Sequence, residues 1–555
     1  MFGLVTILAL VILPALASAS SREASVRPPP PPPGKVRKPS LRLAMPFTSA
    51  TVDPALVADE ENVQLANLLY SGLVRLDASY HVVPDAAYRW TISPDHRVYT
   101  FYLRHKMKFS NGDALMAKDF RYAIERSLTP SLKSPSAPTY LLDIQGARAM
   151  LEGKAKSVSG IKVIDNYTLR ITARWPVPYF LMELTYPTSY ALDPKNIKHY
   201  GASDNTAWYQ HPAGSGPYRL KSWIPNDKIV LTPNHNYYGA GAPLRQITIS
   251  LSPFLLQGVD LYQYVSRHLD VATLPSFNAS LLRQSGIRQT TMLAITGIYM
   301  SLKTKPFSNI HVRRALTLAL SRSAIVRKSM GSAVTPFSGY VPPGQVGYDT
   351  QLRVLRHDDA AARRELALGG FPRGKNFPST TLYYGVDPDD ASAAIIIRRL
   401  AFAVTHAWQH VLKIPVDVHE LNLNNLYEQA QTNALSVYIS GWSADYPDAH
   451  DWLSSQWKTK ALNNNVQYSD KKFDTLVERA DVTWREGARD ALYNQAQQTL
   501  VNDAAWIPLY IPHRLVYMRT SVHNLVVTGY GLIPRRGSWS QVQVLKAAVV
   551  QRHRP

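Results

Sequence analysis

The chain has 555 residues, 45% of them hydrophobic and 18% charged, which is long enough for several cores and far too apolar for a disordered protein. Cys is absent, which excludes disulfide scaffolds, Cys-ligated zinc or iron–sulfur sites, thiol nucleophiles and lipid attachment to an N-terminal cysteine. The net charge of +21 raises the question of an anionic partner, but the basic residues fall in pairs such as Arg313-Arg314 and Arg398-Arg399, never in blocks, which argues against nucleic acid.

From Phe2 to Leu16 the chain is mostly apolar and uncharged, and it closes with Pro14 and the small-residue pattern Ala17-Ser18-Ala19. A run of this length before A-x-A reads as a cleavable secretory signal over residues 1–19; because no Lys or Arg precedes it, an uncleaved anchor is the competing reading. Residues 20–40 read as a Pro-rich linker. Its six prolines, Pro28 to Pro33, favour extended polyproline II and would span about 19 Å at ~3.1 Å per residue. No later stretch reads as a membrane span; the most apolar, Ala391 to Leu412, is broken by Arg398 and Arg399.

From Leu41 onward short strands alternate with helices. Val98 to Leu103 alternates like a half-buried strand, with the Asn111-Gly112 turn signal after it. Ala117 to Leu128 reads as a helix with Phe120, Ile124 and Leu128 on one face. Tyr167–Thr172 and Lys228–Thr232 read as strands, and Val312 to Met330 as one helix. Ser392–Lys413 is a long amphipathic helix, followed by a strand from Pro415 to His419. Leu435 to Ser440 is a further strand, and Asp470–Ala480 and Ala488–Asp503 are helices. The mixed order implies α/β domains with mixed sheets.

Searches for catalytic motifs return little: there is no G-x-S-x-G, H-E-x-x-H, phosphate loop or G-x-G-x-x-G after a strand. His406 and His410 stand four apart on a helix, a spacing that lets two imidazoles share a metal, with the polar helix face as the plainer reading. The cluster Asp445, Asp448, His450 and Asp451 is richer: its three acids could bind a hard cation, or they could be one ligand anchor and a helix start. Asp448 is placed to cap a helix from Ala449 to Trp457, and Asp451 favours that first turn. Asp445 has no such duty. Flanked by Trp442 and Tyr446, it is a candidate for receiving an ammonium, because a desolvated carboxylate needs a cation.

Taken in order, several stretches resemble the oligopeptide-binding branch of the extracellular solute-binding proteins, family 5. They include Asn67-Leu-Leu-Tyr-Ser-Gly-Leu-Val74, Phe109-Ser-Asn-Gly-Asp113 and Asp165-Asn-Tyr-Thr-Leu169. Gly214-Ser-Gly-Pro-Tyr-Arg-Leu220 with Asn236-Tyr-Tyr238 is especially specific, and Gly441-Trp-Ser-Ala-Asp-Tyr446 completes the series. The resemblance implies an α/β periplasmic binding protein-like fold, two lobes with a hinge and an extra inserted domain. Domain I would take residues 41–74, 189–294 and 522–548, domain II 75–188 and domain III 295–521.

The resemblance also implies an exported, non-enzymatic and monomeric periplasmic receptor without cofactor or metal, partnered by short peptides and the permease of an ABC importer. The peptide's α-ammonium would sit on Asp445. Strand-donating segments would be Ala58-Asp59-Glu60 and Ile439-Ser440-Gly441-Trp442, with Tyr140 lining the cleft. Ile439 stands where a receptor of this family carries arginine, so the grip on a ligand C-terminus is open. The competing readings are a receptor for another cationic solute or for a metal or metallophore through His406, His410 and His450, and a secreted hydrolase.

Overall fold

The computed structural model describes residues 39–45, 51–200, 206–251, 264–274, 287–387 and 391–545. The expected signal and the proline run of the expected linker lie outside the described residues. Runs rich in β-branched and aromatic residues build a twelve-stranded mixed sheet. In spatial order its spine is Val416–Asn422, Thr380–Val386, Val437–Ser443, Ala294–Met300, Trp506–Met518, Val271–Leu274, Ser40–Met45, Gln246–Leu251, Lys228–Pro233 and Tyr218–Ile224.

The long strand Trp506–Met518 belongs to both halves of this sheet. Its first part pairs with Ala294–Met300 and Val334–Pro336. From His513 it pairs with Ile287–Thr291, then with Val271–Leu274. Two prolines mark the transition. Pro508 lies opposite Gly297, where the register shifts, and Pro512 lies opposite Val334, where the neighbours change. A residue without an N–H is tolerated where the ladder is already interrupted. The continuous apolar run with two prolines does not announce a strand in the sequence, and none was expected there.

Each half packs its own core. In the first lobe Leu41, Leu43, Ile247 and Ile249 merge with Phe101 and Phe120 of the inserted domain. That domain is a four-stranded antiparallel sheet, Ala87–Ile92, Val98–Leu103, Thr168–Thr172 and Ile161–Asp165, covered by the helix Ala117–Ser127. In the second lobe Ile298, Leu316, Leu382, Val404 and Trp408 form one cluster, and Trp452, Trp457, Tyr493 and Trp506 another. The Gly214-Ser215-Gly216 motif has a packing cause: a Cβ on Gly214 would lie 2.0 Å from the Leu69 oxygen, and one on Gly216 would lie 2.7 Å from that of Leu68. Ser215 completes the seam, its Oγ accepting from the Ser71 N–H at 3.0 Å.

Two expectations are corrected. The apolar period from Val312 to Met330 runs through two helices, Ile310–Leu318 and Arg322–Met330, because both bury the same side while the chain breaks at Ser321. The strand expected to stop at Ser440 is Val437–Ser443, carried past Gly441 by its pairing with Ala294–Met300. No described helix is long and apolar enough to cross a membrane.

Candidate functional site

The site begins with the strand Val437–Ser443. Along one side it is paired throughout with Ala294–Met300. On the other side Thr380–Val386 reaches only Tyr438 and Ile439, so the edge from Ser440 onward is open there. Ala444 donates its N–H to Leu293 O at 2.8 Å. Backbone groups alternate in direction along a strand, so those of Gly441 and Ser443 face the open edge.

Beyond Ala444 the chain turns and enters the helix Ala449–Trp457. Asp448 caps it, with Oδ1 accepting from the His450 N–H at 2.9 Å. Asp448 also accepts a two-pronged bond from Arg489, at 2.6 and 2.7 Å, and both side chains are buried. Asp451, fully buried, reaches backwards. One of its carboxylate oxygens accepts the Trp442 indole N–H at 3.0 Å and the Asp445 N–H at 2.9 Å. The helix therefore holds the loop that presents Asp445.

Asp445 is half-buried, and its main-chain oxygen accepts from the Tyr140 hydroxyl at 3.0 Å. Tyr140 is itself stacked on Tyr186, with ring centroids 3.6 Å apart. Burial pushes the Asp445 carboxyl up to about 6, against the pull of Tyr140 and Asp451. Burial, then the charge of Asp445, holds the Asp451 carboxyl well above the usual carboxylate range. Two carboxylates that interact closely in a low-dielectric setting do not ionise together easily, and a ligand cation relieves both.

Asp445 opens on a cavity of about 520 Å³, within the range of small-molecule sites. Of the residues singled out in the sequence, Ala58, Asp59, Glu60, Tyr140, Gly441, Trp442 and Asp445 line it. Ile439 does not: its side chain is buried in the second-lobe core between two strands. Ser440 is half-buried and also outside the lining. Asp59 approaches in extended conformation, but Glu60 is the first residue of the helix Glu60–Leu69, so any strand-like edge on this side ends at Asp59. Asp59 caps that helix, accepting from the Asn62 N–H at 2.8 Å. Glu60 forms a two-pronged ion pair with Arg514. Burial, then the charge of Glu60, pushes the adjoining Glu61 carboxyl up to about 8.

Sequence reasoning missed Tyr186, Met292, Tyr427, Gln431 and Tyr530 in the lining and Arg489 behind it. These come from separate parts of the chain, and no local pattern links them. Asp451 carried the acidic signal but was assigned only to the helix start.

The histidines are not brought together. His406 and His410 are exposed on the outer face of the helix Ala391–Leu412, with ring centroids 6.0 Å apart. His450 stacks on Tyr179 at 4.1 Å, and its Nδ1 lies 2.5 Å from the Tyr446 hydroxyl. Among the described residues no group of three or more His, Asp or Glu side chains is placed to hold a metal ion. A larger groove of about 720 Å³ has a solvated wall of exposed side chains, among them Lys195, His211 and Arg219.

The inserted domain contributes Tyr140 and Tyr186 to the cavity wall and meets the second lobe elsewhere as well. Trp484 donates its indole N–H to Pro176 O at 2.6 Å and stacks on His96 at 4.1 Å. Residues of the two lobes and of the inserted domain thus line one cavity, with the carboxylates of Asp59, Glu60 and Asp445 at its wall.

A sequence profile of the bacterial extracellular solute-binding proteins, family 5 (middle region), matches residues 81–464. The chain belongs to this family. The periplasmic oligopeptide-binding protein OppA of Escherichia coli (strain K12) is 28% identical over 478 residues, covering 83% of this chain and 84% of that one. The structure of the Escherichia coli murein tripeptide binding protein MppA superposes with a TM-score of 0.75 at 22% identity, covering 92% and 99% of the two chains. Haemophilus influenzae OppA in complex with the peptide RPPGFSPFR superposes with a TM-score of 0.71 at 23% identity, covering 92% and 100%. The fold is the two-lobed periplasmic binding protein fold with an inserted domain, and the members of the family are binding proteins.

Proposed function

We propose that the protein is an exported, monomeric receptor that captures short peptides between its lobes and delivers them to the permease of an ATP-driven importer, without catalysing a reaction. The observation that carries this reading is the open strand edge of Gly441 and Ser443 ending on the desolvated carboxylate of Asp445. A peptide laid along that edge adds a strand, with main-chain groups supplying affinity irrespective of side-chain identity. Its α-ammonium then meets Asp445. Ala58 and Asp59 offer a second stretch of main chain across the cavity, and Tyr140 closes the end. The domains divide as 41–74, 189–294 and 522–548 for domain I, 75–188 for domain II and 295–521 for domain III, and closure about the long strand traps the ligand.

The test is calorimetry with the tetrapeptide Ala-Lys-Leu-Ala amide and its N-acetyl form. Acetylation removes the α-ammonium, leaving only the lysine side chain charged, and leaves Asp445 buried without its partner, so affinity should fall roughly a hundredfold or more. Equal affinities for the two forms would contradict the assignment.

A further inference from the structure

The groove of about 720 Å³ borders Tyr218–Ile224, the last strand in the order of the large sheet. Its lining holds Lys195, Arg219 and Lys221 and the imidazoles of His199 and His211, against one carboxylate, Asp113. Asp113 lies 3.7 Å from the Lys195 ammonium, which commits that pair to each other. Arg219 and Lys221 are exposed and form no ion pair among the described residues. The wall that carries the imidazoles is held in place. Asn196 donates to His211 O at 3.0 Å and accepts the Ala213 N–H at 3.2 Å, and Tyr200 stacks on His211 with centroids 4.6 Å apart.

A second feature stands at the end of the same strand. Behind the half-buried Trp223, Ile224 is 47% exposed and Pro225 is exposed. The chain turns there, with the Asp227 N–H donating to Ile224 O at 3.1 Å, and returns as Lys228–Pro233. Asp227 is paired with Lys228 at 3.0 Å, so the apolar tip carries no unmatched charge. Free cations beside an apolar hairpin tip suit the boundary of a lipid layer, where phosphates lie next to acyl chains. An acidic polypeptide would satisfy the cations but leave the tip in water. A second copy of this chain, pairing along the strand, would bring Arg219 and Lys221 against like charges.

We propose that this groove and hairpin tip form a docking surface for an anionic, phosphate-bearing lipid layer. Arg219 and Lys221 meet the headgroup phosphates, and Ile224 and Pro225 enter the boundary between headgroups and acyl chains. The net charge of +21 draws the whole molecule to such a layer at long range, and the groove fixes which face meets it. None of these residues lines the peptide cavity, so docking and ligand capture are separable.

The experiment is flotation of the purified protein with vesicles of phosphatidylcholine alone, or of phosphatidylcholine and phosphatidylglycerol at about two to one. The protein should float with the anionic vesicles and not with the neutral ones, and less so as salt is raised. Joint Arg219→Gln and Lys221→Gln substitution should weaken binding roughly tenfold or more. Joint Arg363→Gln and Arg364→Gln substitution removes the same charge from the exposed face of the helix Asp359–Leu368 and should change binding by less than about twofold. Ile224→Ser should weaken vesicle binding without lowering the melting temperature. Equal losses in the two double variants, equal flotation with neutral vesicles, or no flotation at all would overturn the inference. Self-association through this strand, or tighter retention on polyglutamate than on the anionic vesicles, would overturn it as well. Peptide affinity should be the same in every variant, which keeps this test apart from the peptide reading.

Discussion

Asp445 and Asp451 divide one task. Asp451 is buried within the protein and spends its acceptors on Trp442 and on the backbone of Asp445, whereas Asp445 faces the cavity. If, as proposed, Asp445 meets the ligand ammonium, removing its side chain should be costly: Asp445→Ala is expected to lose about 3–5 kcal/mol of peptide binding by calorimetry. The pH dependence follows from the same carboxyl. Only its ionised form attracts the ammonium, and burial has raised it to about 6, so affinity should be highest near pH 7, fall by about tenfold per pH unit below 6, and fall again above about pH 8 as the peptide's own α-ammonium loses its proton. An ordinary carboxylate would hold affinity level to about pH 4. Affinity that rises on acidification would contradict the assignment. Asp445 was legible in the sequence because it had no local structural duty. The backward reach of Asp451 was not, because a capping position explains an acid equally well.

At the scale of elements, the buried pair Asp448–Arg489 joins the start of the helix Ala449–Trp457 to the helix Glu486–Asn502. Arg489→Met leaves Asp448 buried without its partner and should cost about 3–5 kcal/mol in urea denaturation. Because Asp451 rides on the same helix, the folded fraction should also bind peptide more weakly. A variant with unaltered stability would show that the pair is not the tie we describe. A second element-scale test is Gly214→Ala, whose methyl group would collide with the Leu69 backbone and should lower the melting temperature by several degrees. The helices with clear apolar faces and acidic caps, such as Lys471–Asp481 behind Asp470, were readable almost to the residue. The break at Ser321 was not, since two helices burying one side continue a single period. The strand end at Ser443 was also hidden: Gly441 lowers strand propensity, and only its partner strand carries the ladder past it.

At the scale of the molecule, the two halves of the sheet share Trp506–Met518, whose partners change at Pro512. A shared strand with an interrupted ladder is a natural place for the lobes to swing, and ligand binding should reduce the radius of gyration in X-ray scattering. The two-lobed fold was legible only through the resemblance carried by motifs such as Gly214-Ser-Gly-Pro217. The shared strand was not, because two prolines in an apolar run disguise it. The central claim is that this cavity is a receptor site for short peptides anchored at Asp445. It is tested most directly by native mass spectrometry of the purified protein, followed by denaturing release and identification of what co-purified. The account predicts a mixed population of short, intact peptides at one per protein, absent from Asp445→Ala. A stoichiometric metal, a single non-peptide solute, or cleaved fragments of an added peptide would contradict it.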